Sequence, residues 1–166
     1  KARGPVWGSV VFSLSIVLLG ALLFVRWNSV SRSTEKARVV VAVDIEDGGG
    51  IRWVWEGLHG PKETLPRSNS PATPTAALSE GRILAYFGTP GLACVTTAGK
   101  ELWTSLELPF DAKHGPGSSP VASQGVLVIV GDLSVSEGGL SEQGPYVAGV
   151  DCGTGKTLWR RERPSH

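Results

Sequence analysis

The sequence has no excess of basic residues. Its 166 residues include 16 Lys and Arg against 15 Asp and Glu, a formal net charge of +1. Setting aside Lys1 and Arg3 leaves 14 basic residues (16 minus 2) against the same 15 acidic ones. Proteins that bind nucleic acid through its phosphates usually carry a basic surface. The charge balance therefore argues against a nucleic-acid partner.

Cysteine and methionine are scarce as well. The 2 cysteines, Cys94 and Cys152, stand far apart, and neither belongs to a CxxC or His-rich spacing, so no metal site is predicted. We interpret both as small buried side chains, because free cysteine is among the most buried residue types. Nothing in the sequence indicates a disulfide between them. The lack of methionine indicates that the sequence is an internal part of a longer protein.

Turn-forming residues, by contrast, are abundant. The chain has 22 Gly and 11 Pro, which favour many turns over long helices. Hydrophobic residues make up 41% of the sequence, enough for the core of one modest domain. We therefore expect an all-β fold.

One long stretch lacks charge altogether. Residues 4–25 (GPVWGSVVFSLSIVLLGALLFV) would form a helix of roughly 33 Å, enough to cross a bilayer. Trp7 and Trp27 stand near its ends, where indole rings prefer the headgroup layer. We predict a transmembrane helix or signal anchor at 1–27, followed by a linker at 28–37. A cleaved signal peptide is the alternative, although "RWNSVSRS" offers no small-x-small cleavage site.

Three later stretches share one pattern. They read "VAVDIEDGGGIRWVW" (41–55), "LACVTTAGKELWTS" (92–105) and "VAGVDCGTGKTLWRR" (147–161). Each is a short apolar strand, a polar turn and a second strand that contains Trp. Gly49, Gly99 and Gly155 each precede a tryptophan by four positions; those tryptophans are Trp53, Trp103 and Trp159. Trp53 and Trp103 are 50 residues apart, and Trp103 and Trp159 are 56 apart. The repeat unit is therefore about fifty residues long, the length of one supersecondary unit in a repeat protein.

A second matched pair precedes the later two copies. "SPATPTAALSEGRILAYFG" (70–88) and "SSPVASQGVLVIVGD" (118–132) each lead from a Ser-Pro strand, through a glycine turn, into an apolar strand. Each unit is then four short antiparallel strands, the pattern of a β-propeller blade. We expect residues 38–166 to form a partial propeller of about two and a half blades, with Trp53, Trp103 and Trp159 packing one blade against the next.

The segment "DCGTGKTLW" also admits a nucleotide-binding interpretation. A phosphate-binding loop has a glycine six positions before its lysine, but that position relative to Lys156 is Val150. A strand-like run follows, where such a loop requires a helix. We therefore interpret the segment as a hairpin turn. Asp151 accepts backbone hydrogen bonds from that turn, and Asp44 has the matching place in the first copy.

Two histidines lie in similar contexts. His59 in "EGLHGP" and His114 in "DAKHGPGSSP" are each expected in a glycine-proline loop after the fourth strand of a blade. They are either a binding site on one rim of the propeller or two exposed loop side chains, and the second interpretation is favoured. Asp111, Asp132 and Glu137 are expected in loops too, and no catalytic set can be assembled from these residues.

The repeat resembles the pyrroloquinoline-quinone-like β-propeller repeat, whose blades end in a pattern close to ALDAxTGKxxW. "AGVDCGTGKTLW" is similar to it at nearly every marked position, and the resemblance extends over about 38–163. The family includes quinone-dependent dehydrogenases, a non-enzymatic barrel-assembly lipoprotein and sensor domains of membrane kinases. Quinone-binding members usually carry two adjacent cysteines, a Trp beneath the quinone ring and a calcium site with an acid and an Asn. Cys94 and Cys152 depart from that pattern.

The resemblance therefore leaves two functions open. The first is a non-catalytic scaffold or binding module, anchored to a membrane, for a protein, peptide or glycan. The second is part of a quinone-dependent dehydrogenase, or the sensor of a transmembrane kinase; pyrroloquinoline quinone and calcium enter only through the resemblance. It also implies a bacterial, extracytoplasmic propeller. The excess of positive charge after the apolar run indicates the opposite orientation.

Overall fold

The structure is a computed structural model that describes residues 13–18, 21–27, 35–46, 48–61, 73–108, 115–131 and 144–164. Twelve strands occur among these residues. They are β1 (Ser13–Leu18), β2 (Ala21–Trp27), β3 (Glu35–Asp44), β4 (Ile51–Pro61), β5 (Ala77–Ser79), β6 (Arg82–Tyr86), β7 (Leu92–Thr96), β8 (Glu101–Ser105), β9 (Val121–Ser123), β10 (Val126–Gly131), β11 (Tyr146–Asp151) and β12 (Thr157–Glu162).

The strands form three four-stranded sheets in chain order: the first sheet (β1–β4), the second sheet (β5–β8) and the third sheet (β9–β12). Every pair of neighbouring strands is antiparallel. Each sheet is thus a four-stranded meander, which is the architecture of a propeller blade. The all-β class and the blade interpretation are confirmed.

The first sheet corrects the expectation for the N-terminal region. Where a transmembrane helix was predicted, residues 13–18 and 21–27 form β1 and β2, and β2 pairs with β3 from Ala21↔Asp44 to Trp27↔Arg38. β1 and β2 therefore complete the first sheet, to which residues 38–166 contribute most of β3 and all of β4. An uncharged run rich in Val, Ile and Leu has few polar positions to mark a period, so its sequence suits a buried strand as well as a helix. The rest of the predicted helix lies outside the described residues.

Membrane-spanning helices are not found in the described part of the chain: none of its elements is a helix long and apolar enough for that role.

The second sheet is covered on both faces. In β6, Ile83 and Ala85 join the core shared with the first sheet, while Leu84 and Tyr86 join the core shared with the third. This alternation follows from the two-residue period of a strand. Because both faces are buried, β6 reads in sequence as one apolar run. The two cores fix how the three sheets stack.

Two hairpins turn on the same pair of backbone conformations. Glu80 and Gly81 have φ of 48° and 72°, and Gln124 and Gly125 have φ of 49° and 77°. Two consecutive residues with positive φ make the tight turn that matches the twist of paired strands, and glycine is favoured there. The strands before these turns are short, and β5 and β9 start only after Pro74 and Pro120. Proline has no N–H to donate to a strand partner.

Candidate functional site

In each of the three glycine turns, the amide of a glycine with positive φ donates to the carbonyl of the residue that ends the preceding strand. The amide of Gly49 donates to the carbonyl of Asp44 at 2.8 Å, that of Gly99 to Thr96 at 2.9 Å, and that of Gly155 to Asp151 at 2.9 Å. The φ angles of these glycines are 89°, 81° and 74°. Side chains with a Cβ rarely adopt such values. The three turns therefore share a strand-end acceptor and a glycine with positive φ, although the glycine follows its acceptor by five, three and four residues.

The residue that ends the strand before each turn also caps it. Oδ1 of Asp151 accepts hydrogen bonds from the amides of Gly153 (3.0 Å) and Thr154 (2.7 Å) and from the hydroxyl of Thr154 (2.8 Å). The pKa of Asp151 is lowered, first by the hydroxyl of Thr154 and then by its amide, because both stabilise the carboxylate. Asp44 and Thr96 accept amide bonds in the other two turns.

Asp151→Ala is expected to lower the melting temperature at neutral pH, because the turn loses its acceptor. A lowered folded-state pKa means that the stabilisation is present above the ordinary pKa of 3.8 and is lost as pH falls through the folded value. The difference in melting temperature between wild type and Asp151→Ala, measured from neutral to acidic pH, should therefore shrink at low pH. A difference that stays constant with pH would contradict this role for the carboxylate.

The glycine turns that contain Gly99 in the second sheet and Gly155 in the third each contact a tryptophan of the preceding sheet. The indole nitrogen of Trp53 donates to the carbonyl of Thr97 at 2.9 Å, and that of Trp103 donates to the carbonyl of Cys152 at 3.1 Å. The two rings lie so close over Gly99 and Gly155 that a Cβ on either glycine would overlap the ring. Glycine is therefore required at these positions for two reasons, the positive φ and the close approach of the indole.

The third tryptophan of the repeat is placed differently. The ring of Trp159 lies over Gly149, its cross-strand partner within the third sheet. Its side chain remains 37% exposed, whereas Trp53 and Trp103 are less exposed. Within the described residues, then, two of the three tryptophans lie between sheets and Trp159 does not.

A second set of bonds between sheets was not predicted from the sequence. The indole nitrogen of Trp55 donates to Oε2 of Glu101 at 2.9 Å, and the amide of Thr157 donates to Oε2 of Glu107 at 2.8 Å. The latter bond lowers the pKa of Glu107. Glu101 and Thr157 each stand two positions before the repeat tryptophan of their strand. This shared position is the sequence feature from which the second set of bonds could have been predicted.

Tyrosine contributes to the boundary between the second and third sheets. The hydroxyl of Tyr146 donates to the carbonyl of Leu108 at 3.4 Å, and the guanidinium of Arg160 lies 4.3 Å from the centre of its ring. Burial raises the pKa of Tyr146 and, more strongly, that of Tyr86 in the same core. Neutral phenols packed in this way hold the two sheets together.

Both cysteines are buried free thiols in the core between the second and third sheets, which confirms their predicted burial. Burial raises the pKa of Cys94 to about 11 and also raises that of Cys152. Since the thiolate is the reactive form, burial lowers the nucleophilicity of both side chains.

We expect a thiol reagent such as dithiobisnitrobenzoate to label neither cysteine in the native protein and both after denaturation. The measurement is the absorbance of the released thiolate, with and without denaturant. Fast labelling of the folded protein would contradict the burial of these side chains.

The predicted rim residues are not brought together. His59 is exposed and lies within β4. That strand extends to Pro61, which is paired with Glu35 of β3, so the expectation of a loop at His59 is wrong. His114, Asp111, Asp132 and Glu137 lie outside the described residues. In the part of the chain that is described, no three His, Cys, Asp or Glu side chains converge as metal ligands would.

Comparisons with known proteins agree with this geometry. Neither protein-family models nor curated protein sequences give a match to the chain. Among solved structures, it is similar to BamB from Moraxella catarrhalis, with a TM-score of 0.56, 18% identity and 92% of this chain covered. It is also similar to a europium-containing methanol dehydrogenase, with a TM-score of 0.52, 14% identity and 93% of this chain covered.

The chain spans 38% of the BamB structure and 26% of the dehydrogenase structure, so it corresponds to part of each. Both proteins support the resemblance drawn from the repeat, and at these identities they do so at the level of the fold. Three four-stranded sheets, each joined to the next through a tryptophan and a glycine turn, give this chain the fold of the pyrroloquinoline-quinone-like β-propellers.

Proposed function

We propose that this protein is a non-catalytic scaffold and binding module that takes a protein or peptide partner. The observation that supports the proposal most directly is the pair of matching junctions, in which Trp53 and Trp103 fix the sheets in one arrangement. A rigid stack of blades presents its loops and edges at constant spacing, which suits recognition of a large partner.

The described residues do not fit a quinone. Cys94 lies on β7 and Cys152 in the turn after β11, so no adjacent pair is available to cover a quinone ring. The rings of Trp53 and Trp103 each lie over a glycine turn, so the side of the ring that faces the turn is not open for stacking. These observations favour the binding module over the dehydrogenase for this part of the protein.

The outer strands offer a surface for a peptide. β8 and β12 are the last strands of their sheets, so each has one edge without a strand partner among the described residues. Leu102 and Leu106 near β8 are 45% and 67% exposed, and Leu158 on β12 is 52% exposed. An extended peptide that pairs with such an edge gains backbone hydrogen bonds, and apolar side chains beside the edge add selectivity.

The experiment combines selection from a random-peptide display library with titration by pyrroloquinoline quinone and Ca²⁺. We expect the library to yield apolar, extended peptides whose affinity falls at least about tenfold in a Leu102→Asp, Leu106→Asp variant. Leu78→Asp is the matched control, because Leu78 is 37% exposed on β5 at the opposite edge of the same sheet. Saturable quinone binding with alcohol oxidation would overturn the proposal, and so would selection of glycans alone from an array.

The cellular location is a separate part of the proposal. We propose that the propeller acts outside the cytoplasm at a membrane, on the basis of the resemblance of its repeat. Attachment by a helix at 13–27 is not part of this proposal, since those residues include β1 and β2. Extraction of native membranes with alkaline carbonate tests the association: the protein should remain with the membrane or be released as a peripheral protein, and recovery from the cytosol would contradict it.

A further inference from the structure

A tyrosine hydroxyl in the core between the second and third sheets has no hydrogen-bond partner among the described residues. It belongs to Tyr86, the last residue of β6, whose side chain lies in that core and which is 3% exposed. Most buried side-chain polar atoms have a partner, either in the protein or in an ordered water, because an unpaired hydroxyl loses its hydration and gains nothing in return. The Tyr86 hydroxyl therefore indicates a place where a further hydrogen-bonding group binds.

Two other buried oxygens lie at the same place. Burial raises the pKa of Tyr86, and the neighbouring Tyr146 at the start of β11 raises it further, so the two phenols are close together. The hydroxyl of Tyr146 donates to the carbonyl of Leu108 at 3.4 Å, whereas bonds between two oxygens are usually about 2.7 to 2.8 Å long. The Tyr146 hydroxyl thus has two oxygen neighbours, with a long bond to one and no bond to the other.

We propose that the oxygens of Tyr86, Tyr146 and Leu108 bind one water molecule, which bridges the second and third sheets. A contact between polar groups that is too long for a good direct bond is where a bridging water is expected. The water accepts the proton of the Tyr86 hydroxyl and donates its own two protons to the hydroxyl oxygen of Tyr146 and the carbonyl of Leu108. A carbonyl oxygen has two lone pairs, so it accepts from both Tyr146 and the water. Three hydrogen bonds are typical of a buried water.

The charges around the site favour a neutral ligand. Both phenols are neutral at physiological pH, because burial raises the pKa of each, so they offer no negative charge to a metal ion. The guanidinium of Arg160 lies 4.3 Å from the centre of the Tyr146 ring, and its positive charge adds repulsion against a cation. Water is the smallest neutral molecule that both donates and accepts. This inference does not depend on the partner proposed above.

Tyr86→Phe distinguishes a hydroxyl that binds water from one that is unpaired. The substitution removes one oxygen and keeps the ring in the core. If the hydroxyl binds water, urea unfolding of the full-length protein should show a folding equilibrium constant about fivefold lower than that of the wild type, the effect of losing one satisfied hydrogen bond. An equilibrium constant that is unchanged or higher would mean that the hydroxyl is unpaired, and this result overturns the proposal.

A second measurement distinguishes a bridging water from a direct bond between the two phenols. Oxygen-17 magnetic relaxation dispersion reports the number of long-lived buried waters, and this number should fall by one in Tyr86→Phe and in Tyr146→Phe. Ile129→Val is the matched control, because it removes a methyl group from the same core without removing a polar atom, so it should keep the water. A number that neither tyrosine substitution changes would overturn the proposal, as would a crystal structure in which the Tyr86 and Tyr146 hydroxyls bond to each other directly.

Discussion

Replacing Trp103 with alanine is expected to lower the free energy of unfolding by about 3 to 5 kcal/mol, the range for a packed aromatic side chain. The substitution removes the ring that lies over Gly155 and the hydrogen bond from its indole nitrogen to the carbonyl of Cys152. It also leaves a gap beside the core that the second and third sheets share. Because a whole domain is stable by only about 5 to 15 kcal/mol, a loss of this size is readily measured by urea unfolding.

Trp159→Ala is the matched control for this substitution. It removes the same side chain from the same place in the repeat, but the ring of Trp159 is 37% exposed and lies over its own sheet. We expect its loss to lower the free energy of unfolding clearly less than the loss of Trp103 does, with both variants measured by urea unfolding. Equal costs for the two substitutions would mean that stability comes from burial within one sheet and not from the junction between sheets.

Gly155→Ala is expected to be strongly destabilising for a substitution that adds one methyl group. Its Cβ would overlap the ring of Trp103, and overpacking of this kind costs about 1 to 3 kcal/mol. The positive φ of 74° adds about 1 to 2 kcal/mol for a residue with a Cβ. Chemical denaturation of the purified variant gives the sum of the two effects.

Gly125→Ala separates these two contributions. Gly125 has nearly the same φ, 77°, but a Cβ there would meet nothing within 4 Å. The difference between the Gly155→Ala and Gly125→Ala variants therefore reports the contact with Trp103 alone. If both variants lose the same stability, the indole is not in contact with the turn in solution.

The repeated part of the fold was predictable because its signals are local. The spacing between glycine and tryptophan places Asp151, Gly155 and Trp159 in one hairpin, and the apolar runs of β6 and β10 mark buried strands. Positions of this kind are set by backbone conformation and by the two-residue period of a strand. Neither requires knowledge of what lies across the sheet boundary.

The N-terminal region was not predictable in this way. Residues 13–27 are uncharged up to Arg26, so the length of the apolar run suggested a helix, whereas the structure pairs β2 with β3 along its whole length. The choice between helix and strand at such a run depends on a partner strand distant in the sequence. The same dependence explains His59, which is in a strand because β4 continues to pair with residues near Glu35.

Contacts between sheets were the least accessible to sequence analysis. The bond from Trp55 to Glu101 spans 46 residues, and the bond from Thr157 to Glu107 spans 50. Each joins a backbone or indole N–H to a carboxylate whose position is fixed only once two sheets have stacked. The repeat predicted Trp53, Trp103 and Trp159 as packing residues, and the first two lie between sheets. Their acceptors, Thr97 and Cys152, could not be predicted before the sheets were seen to stack.

A double-mutant cycle between Trp103 and Gly155 tests most directly whether a tryptophan on a glycine turn joins the blades. Four proteins are compared by urea unfolding: the wild type, Trp103→Ala, Gly155→Ala and the double variant. Once the ring is gone, the new Cβ has nothing to overlap, so Gly155→Ala should cost at least about 1 kcal/mol less in the Trp103→Ala background than in the wild type. Costs that add to within about 0.3 to 0.5 kcal/mol, as for independent sites, would contradict the junction.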